Sequence, residues 1–157
     1  MLDCVGLLAA TDGAQLGKMI TGLSHSHSGL ANLVFVASLV NIAFALSVSK
    51  NPIPLAKMMQ WGHRIVLFGG RLNLILGFIW LLSDPQFQNR SILSFWWVLV
   101  SILCWGGIEV AAKRMVKSDL SVALVGGAPS KSLFWGFIVE LVLILLIYAM
   151  MSVKSWH

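Results

Sequence analysis

Four stretches of about 20 mostly apolar residues run along this chain, at 29–48, 61–82, 94–112 and 132–151. The segments between them hold most of the charge and the turn formers. A helix of roughly 20 residues, rising 1.5 Å per residue, crosses a hydrocarbon layer of about 30 Å. The pattern therefore predicts four transmembrane helices. Asn51-Pro52-Ile53-Pro54 follows the first stretch and Ser83-Asp84-Pro85 the second, while the third connection contains Gly126-Gly127-Ala128-Pro129. Proline and glycine there stop helices. Short connections make consecutive helices antiparallel, so the expected fold is all-α, an integral-membrane four-helix up-down bundle at 25–157. Residues 1–24 read as a short N-terminal arm or interfacial segment. Their first ten are apolar but carry Asp3 and lack a basic n-region and a small-residue cleavage site, which argues against a cleaved signal peptide.

Composition agrees. Hydrophobic residues make up 58% of the chain and charged ones 11%, against roughly 25% charged in soluble domains. The formal net charge of +5 is not a nucleic-acid footprint, because the basic residues flank apolar segments and form no run. They orient the bundle instead. Lys50, Lys57, Arg64, Lys113, Arg114, Lys117 and Lys131 fall on one side, and Lys18, Arg90 and Lys154 on the other. By the positive-inside rule the first side is cytoplasmic and both termini are outside. Cys4 and Cys104 supply neither a disulfide framework nor a metal-spacing motif.

Polar residues within the spans carry the candidate chemistry. Arg71 stands near the middle of the second span, where a charge persists only if it faces a partner, a cofactor or a wet cavity. Glu140 in the fourth span and Glu109 in the third lie at neighbouring depths. The expectation is a buried polar site in which Arg71 pairs with Glu140 or Glu109, lining a proton or ligand site or simply setting helix register. Contact of Arg71 with a lipid headgroup or a cofactor carboxylate is a third option. Glu109 also precedes Lys113 by four residues, a favourable helical pair. Asn73, about 200° round the helix from Arg71, is expected to meet a different helix. His63 and Arg64 read as interfacial anchors.

The histidines raise tetrapyrrole binding. His25 and His27 stand at the outer edge of the first span, and His63 at the opposite face, so His63 and His27 cannot share one haem. His157 is terminal. Met150 and Met151 are the candidates at the depth of His27, and His/Met ligation is established haem chemistry. A single histidine would otherwise serve a five-coordinate metal in haem or chlorophyll. Candidate cofactor contacts are thus His27, His25, Arg71 and Trp105, with His27 the one metal ligand. Six tryptophans lie near span ends, as an aromatic belt requires. Trp105 is deeper, beside Gly106 and Gly107, and Gly69-Gly70 gives the second helix a flat patch. Both suit close approach of a helix or flat ring. The chain lacks a catalytic serine motif, a phosphate loop and a metal-ligand cluster, which argues against a hydrolase or transferase.

His27-Ser28-Gly29-Leu30, Leu74-Ile75-Leu76-Gly77 and Ala112-Lys113-Arg114 together resemble a family of small four-helix bacterial membrane proteins labelled cytochrome-b-like. The resemblance covers most of residues 25–152. It implies a multi-pass protein of the bacterial inner membrane. In that family one histidine precedes the Leu-Gly stretch and another opens the third span. Here Arg71 holds the first position, and Ile92 or Leu93 the second. A member with this scaffold and without those ligands is expected to be a non-catalytic subunit of a larger respiratory or photosynthetic complex. Its partners are then lipids and other subunits, not nucleic acid, and haem b or a chlorophyll-type tetrapyrrole is the possible cofactor. The alternatives are a b-type haem electron carrier and a small proton-coupled carrier.

Overall fold

The computed structural model describes residues 2–48, 52–83 and 96–153. Helix α1 spans Leu2–Ser47, α2 Pro52–Ser83, α3 Trp96–Ala111, α4 Lys117–Leu124 and α5 Lys131–Val153, with one π-helical turn, Ala112–Val116, joining α3 to α4. Among the described residues there is no strand. The fold is all-α. Three helical stretches are long and apolar enough to cross a bilayer: Gly17–Ser47, Trp96–Leu124 and Lys131–Met150. The chain is a membrane protein on that ground. Helix α2, with 32 residues, is long enough to cross. It is not among those three.

Three boundaries differ from the expected ones, each for a local reason. Helix α1 runs unbroken from Leu2, so residues 2–24 continue into the first helix without a break. Nothing between 2 and 47 breaks a helix: there is no proline, and isolated glycines are tolerated. Helix α2 starts at Pro52, nine residues ahead of its apolar stretch, because proline suits the first turn, where its missing N–H is not needed. The third rod continues past Ala112 to Leu124 until Gly126, with φ of +85°, turns the chain. Lys113, Arg114 and Lys117 therefore sit on helix, not loop. The second connection, with Asp84, Pro85, Arg90, Ile92 and Leu93, lies outside the described residues, as do Lys50, Lys154 and His157.

The helices form a ring: α1 packs along α2, α4 crosses α2, α3 packs on α5, and α5 closes on α1. Two apolar clusters fill it. Val48, Ala56, Met59, Val116, Leu120, Ala123, Leu133 and Phe137 gather at the Gly126 end. Val34, Ala37, Val66, Trp105, Ile108 and Ile144 gather further along. Small residues set the spacing, as they do in membrane bundles. Gly70 accepts the ring of Trp105 where a β-carbon would stand, and Gly136 brings α5 against Val116 and Met115 of the π-helical turn. That wider turn frees a carbonyl, and Ser132 Oγ donates to the Met115 oxygen at 3.1 Å.

The turn into α5 is capped. Ser130 Oγ accepts from the Ser132 N–H at 3.1 Å and donates to Asp119 of α4. An N-cap serine satisfies a helix N–H that has no intrahelical partner. Ser130→Ala should lower stability by about 1 kcal/mol, read as reversible unfolding in detergent. An unchanged midpoint would mean that the cap is idle.

Candidate functional site

Between the two apolar clusters lies a layer of polar side chains. Along α5 the inward-facing pattern Leu133, Phe137, Ile144 is interrupted by Glu140. Along α2 it is interrupted by His63, and along α1 by Ser38 and Asn41. All four are buried, Glu140 and Asn41 completely. His63 Nδ1 lies 3.4 Å from Glu140 Oε1, in ion-pair range but not aligned as a hydrogen bond. Phe137 meets the His63 ring edge-on, with centroids 5.9 Å apart. Asn41 Oδ1 occupies the space that a Gly62 side chain would need, which seats α1 against the turn that carries His63. Ser38 Oγ and both amide atoms of Asn41 have no hydrogen-bond partner among the described residues.

This layer corrects two expectations. His63 is not an interfacial anchor, and Glu140 takes His63, not Arg71, as its partner. The reason is angular. Eight residues separate His63 from Arg71, which places them about 80° apart round α2. With His63 turned inward, Arg71 is turned out. Arg64, by contrast, does lie at the surface, its guanidinium 5.4 Å from the centre of the Trp61 ring. The Glu140–His63 pair is neutral overall in two forms, carboxyl with imidazole or carboxylate with imidazolium. Either form keeps a net charge out of the apolar interior.

Arg71 pairs with Glu109 on the flank of the bundle. Its Nε donates to Glu109 Oε1 at 2.7 Å and its Nη2 to Oε2 at 2.9 Å. This is the two-point geometry that makes arginine–carboxylate pairs strong. The Arg71 side chain is nevertheless 59% exposed. Of the two pairings expected for Arg71, the structure forms this one, and it forms it outside the bundle. Lys113, one helical turn beyond Glu109, adds a positive charge near the pair.

His27 marks a third feature. It is buried, and its Nδ1 lies 3.1 Å from the backbone oxygen of Asn73 in α2, with the imidazole edge over Gly77. Beside it a cavity of about 490 Å³ opens between α2 and α3. A smaller void of about 40 Å³ continues past Asn73 to Trp105 and Tyr148. His25 is exposed and lines neither space, and Trp105 is taken up by Gly70. A haem suits this place poorly. Among the described residues, His27 apart, no histidine, methionine or cysteine lines either cavity, and no lysine or arginine is there to meet the propionates. Met150 is not in the lining, and the Met151 side chain lies outside the described residues. Among the described residues no group of three or more His, Cys, Asp or Glu side chains is placed to hold a metal ion.

Ser38 and Asn41 are site residues that span counting passes over. Their signal was present: two polar residues three apart on one face of an otherwise apolar helix. Comparison with protein-family models, with curated proteins and with solved structures finds no match to this chain.

Proposed function

We propose that this protein is a non-catalytic integral subunit of a larger membrane assembly, of the respiratory or photosynthetic kind that its cytochrome-b-like resemblance implies. The supporting observation is the position of the Arg71–Glu109 pair. Arg71 lies ten residues past Trp61 and eleven before Leu82, about 15 Å along the helix from either. That is the middle of a bilayer. Two of its five guanidinium N–H groups are used on Glu109. The hydrocarbon of the bilayer accepts no hydrogen bonds, and charges at this depth face protein or water, not lipid tails.

A helix of a partner subunit covers such a face well. With Lys113 counted, the face is net positive, so the fitting partner brings a carboxylate to the depth of Arg71. The bundle's other outward positions, such as Leu99, Leu103, Phe68 and Ile75, are apolar and suit lipid equally. The ion pair asks for protein.

The test is native-gel migration after mild detergent extraction, with a photo-crosslinking residue at exposed Leu72. The expected result is a chain that travels within a much larger, stable complex and crosslinks to one of its subunits. A chain that migrates alone overturns the proposal. So does an isolated chain that moves protons into liposomes and stops when Glu140 is replaced by Gln, which makes it a carrier.

A further inference from the structure

We propose that the flank between α2 and the third rod, toward the Gly126 end of the bundle, docks the headgroup of an anionic phospholipid through Lys57, Arg64, Lys113 and Lys117. Lys57, Arg64 and Arg71 recur every seven residues, near one line along α2, and Glu109, Lys113 and Lys117 every four along the neighbouring rod. The Arg71–Glu109 bond brings the two lines side by side. Glu109 is the one acid in these two rows, and Arg71 already holds both its oxygens. Beyond that bond, toward the Gly126 end, both rows carry cations. All four are exposed, and among the described residues none has a carboxylate within ion-pair distance. Asp119, further along the rod, is held by Ser130 instead.

Depth selects the anion. Arg71 marks mid-membrane, with Trp61 about 15 Å away along α2. By the same rise Arg64 lies about 4.5 Å inside Trp61 and Lys57 about 6 Å outside it, while Lys113 and Lys117 follow Glu109 by about 6 and 12 Å. These positions straddle the boundary at which a bilayer holds its phosphates, and long basic stems reach outward to that level. A soluble acidic peptide stops above the boundary, whereas a lipid phosphate is fixed at it. The guanidinium of Arg64 lies 5.4 Å from the centre of the Trp61 ring, a contact that holds it near the interface. Its planar fork suits two-point donation to phosphate. Phe68, one turn deeper on the same face of α2, is exposed and offers the acyl chains an apolar surface. Basic patches between membrane helices at the interface bind anionic headgroups in this way.

The site lies on one chain, so it is tested on the isolated protein and does not depend on the assembly reading. The chain is placed in nanodiscs of phosphatidylcholine with a minority of phosphatidylglycerol, then released into native mass spectrometry. Each cation near a membrane surface adds about fivefold to the preference for an anionic lipid. One phosphatidylglycerol per chain is therefore expected to stay bound, enriched more than about tenfold over its share of the bilayer. Arg64→Gln and Lys113→Gln should each lower the enrichment about fivefold, and the double variant should abolish it. Lys131→Gln, at the same end of the bundle but on α5 beside α1, removes the same charge and should leave the enrichment unchanged. All three positions are exposed, so the variants should keep the native gel-filtration profile. The comparison of two lipids on the native chain stands whatever the variants do. Retention of both lipids without preference overturns the assignment, as does enrichment that survives the double variant. An equal loss in Lys131→Gln overturns it too, because the preference then follows net charge and not this flank.

Discussion

Arg71→Leu is expected to insert and fold as the native chain does yet to disappear from the assembly, with at least a tenfold loss of the high-mass fraction. Leucine suits the lipid-facing flank of α2 better than arginine does, and Glu109, left without its two donors, can take up a proton and become neutral, which an unpaired arginine cannot do by losing one. What is lost is the group that reaches a partner. Glu109→Leu should behave differently. It leaves Arg71 charged, outward and without its two-point acceptor at mid-membrane, so the level of folded chain itself should fall. Removing both charges together should restore folding but not assembly. These three outcomes separate an interface from a brace. If the pair serves only to tie α2 to α3, then Arg71→Leu and the double variant lose folding and assembly in parallel. A folded but unassembled double variant excludes that reading. Measuring the folded fraction by gel filtration beside the native gel distinguishes them directly.

Where the long helices lie could be read from the apolar runs, because the bilayer imposes one scale on every span; their ends could not, since α1, α2 and the third rod run well past those stretches. The rotation of each helix could not. Whether His63 or Arg71 faces inward depends on which other helix supplies a partner, and a hydrophobic run has no strong face to reveal it. The 80° between these two residues already barred them from one narrow site, and Arg71 was the more conspicuous of the two. The third rod shows a different limit. Lys113, Arg114 and Lys117 look like a cytoplasmic loop by charge, yet no glycine or proline interrupts 108–125, and Val116, Leu120 and Ala123 recur at helical spacing and are buried. Periodicity, not polarity, was the better guide there. The His27 cavity has no sequence signature at all. It arises because α2 and α3 touch near Gly70 and Trp105 and leave open space beyond.

The second large effect belongs to the buried layer. Replacing either Glu140 or His63 alone with Leu should destabilise the bundle by about 3–5 kcal/mol, the usual consequence of stripping a buried ionisable group of its partner. Replacing both with Leu should bring stability back to within about 1–2 kcal/mol of native, because apolar side chains of fitting size often substitute for a buried pair at little cost. Unfolding in detergent, arranged as a double-mutant cycle, measures the coupling. Additive single effects would show that the 3.4 Å approach is not an energetic unit, and that each residue is held by other neighbours. A strong coupling leaves a choice that the same double variant decides. Its neighbours Asn41 and Ser38 have no hydrogen-bonding role that depends on it, so packing alone decides whether it folds. If it folds and joins the assembly, the pair fixes helix register and the proton between its members is idle. Should it fold and assemble while the complex loses activity, the proton held between Glu140 and His63 is part of what this subunit contributes.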